Sequence, residues 1–161
     1  MKNFIYLVLS MSIFFSCSGK KEKLDGVIDV QISGKTSQYS EGYALLKNQC
    51  YACHSPVSSS HDEIIAPPMA AVKMRYSRSY RTKSEFVDAI VSWTMNPDQE
   101  KSLMRGAVDR FKQMPKQAFK EDDMRKIATY VYDNELEEPF WFDAHQKEMH
   151  ANGKGMGRGM P

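Results

Sequence analysis

The sequence predicts an all-α fold of about four to five helices. Apolar residues recur at helical spacing in several separate segments, and helix-start chemistry stands immediately before most of them. The strand signal is weak. The one alternating run, Val27 to Ile32, has no partner in the chain with which to pair.

Tyr39 to Gln49 forms the first expected helix, with Ser40 as N-cap and Tyr43, Leu45 and Leu46 as its apolar positions. A Ser- and Pro-rich loop follows, stiffened at Ala66, Pro67 and Pro68, and Met69 to Tyr76 is a short helix. Thr82, Lys83, Ser84 and Glu85 satisfy the capping-box pattern ahead of Phe86, Ala89, Ile90 and Trp93. Asn96 and Pro97 suit the N-cap and first residue of a fourth helix carrying Leu103, Ala107 and Phe111. The last begins near Lys120, where Glu121, Asp122 and Asp123 favour the positive end of the helix dipole. Its apolar face is Met124, Ile127, Ala128 and Val131, and Asn134 is its stop. Pro139 to Phe142 is an apolar cluster expected to pack back on the domain, and the Gly/Met-rich end is low-complexity and expected to be disordered.

Length is that of one domain with appendages, and 42% apolar residues are enough for a core. Cations and anions nearly cancel at a formal +2, so composition points to no nucleic-acid partner. At the N-terminus, Lys2 and the apolar stretch Phe4 to Phe15 read as an export signal, being too short for a membrane span of about 20 residues. Phe14, Phe15, Ser16 and Cys17 resemble the lipobox of bacterial lipoproteins, with Phe14 where Leu is usual. The resemblance implies lipidation at Cys17 and a periplasmic-side protein held to a bacterial membrane. Ordinary small-residue cleavage, with Cys17 a plain thiol, is the alternative. The expected organisation is a signal peptide over 1–16, lipidated Cys17 with a tether over 17–38, a domain over 39–138 and a C-terminal extension over 139–161. As a flexible coil the tether spans about 25 Å.

Cys50, Tyr51, Ala52, Cys53 and His54 form a C-x-x-C-H string, the attachment pattern of a c-type haem. Two thiols three positions apart can each add to one porphyrin vinyl group, and the next residue offers imidazole to the iron. A second axial ligand must come from the other histidines or the methionines. Met114 stands out among them. Pro115 follows it and stiffens the chain that carries the sulfur, and it lies between two predicted helices.

Together these residues resemble the small monohaem class I cytochromes c, over Tyr39 to about Asn134. Gly42, Leu46, Cys50, Cys53 and His54 look like the family's N-terminal helix, Ile127 to Tyr130 like its C-terminal helix, and Met114 with Pro115 like its ligand loop. The resemblance implies a cytochrome c fold wrapped around one covalent haem c, with its iron between His54 and Met114. It also implies that Pro67 or Pro68 offers a carbonyl to the His54 ring, and that Trp93 donates to a haem propionate. An electron carrier with redox partner proteins, and not an enzyme in its own right, is the implied function.

Other readings share some of these residues. A five-coordinate haem would result if Met114 did not bind, giving a gas sensor or a peroxide-reactive protein. The chain could equally be the haem subunit of a larger redox complex, with Phe140, Trp141 and Phe142 as a docking surface. Structural zinc lacks a second C-x-x-C, and a thioredoxin-like pair lacks its βαβ frame. His145, Met149, His150, Met156 and Met160 have the donor types that suit copper. Finally, Lys73, Arg75, Arg78, Arg81 and Lys83 form a basic stretch that could steer an acidic partner.

Overall fold

A computed structural model describes residues 41–151. The chain enters as helix α1 (41–49) and continues as α2 (Met69–Ser79), α3 (Lys83–Met95), α4 (Arg105–Phe111), α5 (Glu121–Asp133) and α6 (Phe142–Ala151). Short 3-10 turns at His61–Glu63 and Gln99–Lys101 interrupt the connections. No strand occurs among the described residues. The signal stretch, Cys17, the tether, the Val27 to Ile32 run, Ser40, Met156 and Met160 lie outside them.

The core forms where the predicted apolar faces meet. Leu46 of α1, Phe86 and Ile90 of α3, and Met124, Ile127, Ala128 and Val131 of α5 are all buried in one cluster. Helix α5 has its charges on the outer side and its apolar residues inward, and α3 packs along it. Arg125 ties the two helices at the rim, pairing with Asp88 at 2.8 Å and with Glu121 at 3.0 Å. Helix α1 crosses α5 at Gly42, and Lys126 pairs there with Glu41 at 2.6 Å.

The capping box forms as its sequence predicts. The Thr82 hydroxyl accepts from the Glu85 N–H at 3.3 Å, and the Glu85 carboxylate accepts from the Thr82 N–H at 3.2 Å. The fourth helix departs from expectation. Asn96 ends α3 instead of opening a helix, and α4 starts only at Arg105. Local side-chain bonds divert the intervening chain: Asp98 accepts from the Glu100 N–H at 3.0 Å, and the Ser102 hydroxyl accepts from the Met104 N–H at 3.1 Å.

The segment after α5 folds back, as the apolar cluster suggested, but unevenly. Phe142 is buried, whereas Phe140 is 82% exposed. The half-buried Trp141 indole donates to the Ser58 carbonyl at 3.2 Å and to its hydroxyl at 3.0 Å. Helix α6 begins at that contact; the sequence reading had no helix there.

Candidate functional site

Helix α1 ends in the turn that carries the two thiols. The Cys50 N–H donates to the Leu46 carbonyl at 2.9 Å, and the N–H groups of Cys53 and His54 both donate to the Cys50 carbonyl, at 3.1 and 2.9 Å. That winding brings Cys50, Cys53 and His54 onto one cleft of about 490 Å³. Neither Cys50 nor Cys53 is in a disulfide. Before haem is attached, burial, with Cys53 close by, pushes the Cys50 thiol up to about 11.

His54 is oriented from outside the turn. Its Nδ1 lies 2.7 Å from the Pro67 carbonyl oxygen, and an oxygen there can only accept, so Nδ1 carries the hydrogen. This selects Pro67 over Pro68. The Nε2 lone pair is left for another partner, and burial holds the ring below its ordinary value, in the neutral form that ligates metals.

The remaining residues singled out in the sequence arrive from other elements. Trp93 comes from α3, and Met114 with Pro115 from the connection after α4; all line the same cleft. Met114 is half-buried between exposed neighbours, Gln113 and Pro115. Three further methionines also reach the lining. Met69 and Met124 belong to the packed core, while Met104, the residue before α4, is half-buried like Met114 and is a ligand candidate that the sequence reading passed over. In the sequence Met104 falls inside the expected fourth helix, where a methionine reads as core, whereas the structure places it just ahead of α4.

The rest of the lining is mostly apolar, with Val72, Ile90, Val108, Phe111 and Ile127 among its walls. An apolar slot with a few convergent donors is the form a flat hydrophobic cofactor requires. Two thiols on one turn, an imidazole with its second nitrogen already engaged, and thioether sulfurs along the same walls fit a covalently attached haem.

The structure also places two other groups of residues singled out in the sequence. The basic stretch is largely engaged within the domain: Lys73 donates to the Asn134 carbonyl at 2.5 Å, Arg75 to the Leu103 carbonyl at 2.8 Å, and Lys83 pairs with Asp133 at 2.5 Å. Burial lowers the Lys73 pKa, with Glu135 and Asp133 acting against it. Among the suggested copper donors, His145 stacks on His61 with ring centroids 4.0 Å apart, and the Arg110 guanidinium lies 2.9 Å from His61 Nδ1. No group of three or more His, Cys, Asp or Glu side chains among the described residues could hold a metal ion. Nor is any described helix long and apolar enough to cross a membrane.

Comparison with known proteins agrees with the cleft. An uncharacterized protein of Aquifex aeolicus (strain VF5) is 28% identical over 131 residues, covering 68% of this chain and 85% of that protein. No solved structure gives a significant match. The model of the family "Cytochrome c" matches residues 39–134, well over half of the chain and the same span as α1 to the end of α5. With that match added to the thiol turn and its histidine, this chain belongs to the cytochrome c family, with an all-α cytochrome c fold and covalent haem c.

Proposed function

We propose that this cytochrome is a one-electron carrier of an exported redox chain, with His54 and Met114 as the axial ligands of its iron and Cys17 as its lipid anchor. The single observation that carries the ligand assignment is the shared cleft: the thiol turn, the oriented His54 ring and the half-buried Met114 side chain all open onto it. When bound, haem c supplies an iron that exchanges one electron without making or breaking bonds to a substrate.

The chain's own residues make that exchange the favoured chemistry. Cys50 and Cys53 hold the group by thioether bonds, which prevents its loss in an open compartment. The Pro67 carbonyl fixes the His54 tautomer and ring plane and raises the basicity of Nε2. A thioether such as that of Met114 favours the softer ferrous state, so the His/Met pair raises the reduction potential. If His54 and Met114 both hold the iron, no coordination site would be left for a substrate. The apolar walls exclude water and keep reorganisation small on electron exchange. Redox partner proteins are what such a carrier requires. A signal peptide over 1–16 would direct export, and lipidated Cys17 with the tether over 17–38 would hold the domain, 39–138, at the periplasmic side of a bacterial membrane.

Absorption spectra of the purified holoprotein, in wild type, Met114→Ala and Met104→Ala, test the assignment. The weak sulfur-to-iron band near 700 nm should be present in wild type and Met104→Ala, and lost in Met114→Ala. Loss in Met104→Ala alone would transfer the ligand role to Met104. A high-spin wild type that binds carbon monoxide readily in the ferrous form would mean an open iron and would overturn the carrier reading.

A further inference from the structure

Helix α4 ends at Phe111 in an unusual way. Lys112 has φ 68° and ψ 179° and is the one non-glycine residue with positive φ among the described residues. This conformation is nearly confined to glycine, and an L residue holds it only where the surroundings impose it. The residue that follows supplies such a constraint. Gln113 Nε2 donates to the Pro97 carbonyl at 2.9 Å, and its Oε1 accepts from the Gln99 N–H at 3.3 Å. Both ends of one side-chain amide are thereby used on the 97–99 segment, which directly follows α3, the helix that carries Trp93.

On the other side of Met114, Lys116 Nζ donates to Asn96 Oδ1 at 3.3 Å. Met114 is therefore bracketed by two residues bonded to the 96–99 segment, Gln113 through two hydrogen bonds and Lys116 through one. The Gln113 bond is the stronger constraint, because it is two-pointed and adjacent to both the strained Lys112 and the sulfur-bearing residue.

We infer that Gln113 is the positioning residue for Met114: its amide latches the 112–116 segment to Pro97 and Gln99 and so keeps the Met114 sulfur in the cleft. The inference rests on the His54/Met114 ligation proposed above. Without the latch, conformations with the 112–116 segment displaced gain population, and an external ligand competes more effectively for the iron in proportion to that population.

The test uses full-length holoprotein and exogenous imidazole as the probe. Gln113→Ala should bind imidazole about tenfold more tightly than wild type, as expected from the loss of two hydrogen bonds that close the loop. Its Gln99 amide should also exchange with solvent faster. Gln113→Glu, which keeps the acceptor for Gln99 but sets a carboxylate against the Pro97 carbonyl, should fall near the alanine variant and not rescue. Thr82→Ala serves as the stability control, since it weakens α3 at its far end; it should leave imidazole affinity within about twofold of wild type. Imidazole affinity in Gln113→Ala equal to wild type, or raised equally in Thr82→Ala, overturns the inference. Failure of the ligation reading is separate and shows as a Met114→Ala protein with the spectrum and imidazole affinity of wild type.

Discussion

Gly42 and Tyr130 approach so closely that a β-carbon at position 42 would lie 2.8 Å from the Tyr130 Cβ and equally near the Lys126 carbonyl oxygen. Neither neighbour is the free end of a flexible side chain; one is helix backbone and the other is the atom rooted to it. Glycine is needed here for the helix crossing.

Gly42→Ala should therefore destabilise the fold by about 1–3 kcal/mol, the cost of forcing extra volume into a packed contact, despite alanine's better helix propensity. Chemical denaturation of the holoprotein measures it. An unchanged or higher midpoint would mean that α1 can slide away from α5 at little cost. The crossing also sets the position of the thiol turn, because α1 ends at residue 49 and Cys50 to His54 follow directly.

The C-terminal extension bears on the haem loop through Trp141. Its indole N–H is shared between the carbonyl and hydroxyl of Ser58, four residues after His54. Trp141→Phe keeps an aromatic ring and removes only the donor. It should cost about 1 kcal/mol in unfolding free energy and speed amide exchange over residues 55–63, with haem attachment unchanged. Exchange rates identical to wild type would show that the extension lies on the loop without restraining it.

What was legible in the sequence, and what was not, divides on the range of the interactions. The capping box at Thr82 and the apolar face of α5 depend on residues within a turn or two, and each formed as read, whereas α3 buries Val87 and Val91 beside Phe86 and Ile90, leaving Ala89 and Trp93 partly exposed. The Pro67 carbonyl meets His54 across thirteen positions, a contact that no periodicity encodes. The start of α4 moved because Asp98 and Ser102 offered competing local bonds, whose strength against a Pro-initiated helix cannot be judged without the surrounding fold. Helix α6 escaped notice because only Phe142 on it is buried, leaving its apolar period too thin to read. Lys83 of the basic stretch finds Asp133 because the start of α3 packs beside the end of α5, a contact across fifty positions.

The pH response of the domain should pass through His61. Its ring stacks on His145 at 4.0 Å and meets the edge of Trp141 at 5.4 Å, so it joins the loop after the thiol turn to α6. From α4, Arg110 Nη1 stands 2.9 Å from His61 Nδ1, and since a guanidinium can only donate, Nδ1 must keep its lone pair and the ring is neutral. Burial lowers its pKa first, His145 and Arg110 add to that, and Asp62 acts in the opposite sense. In the unfolded chain the same ring takes up a proton near its ordinary value of about 6.5. The unfolded state then binds more protons as pH falls through that range, so the stability contributed by neutral His61 is complete above about pH 6.5 and is lost below it. Wild-type holoprotein should accordingly lose more unfolding free energy between pH 7.5 and pH 5.5 than His61→Gln, which cannot titrate. Matching losses in the two proteins would assign the acid sensitivity to carboxylates elsewhere and remove His61 from the account.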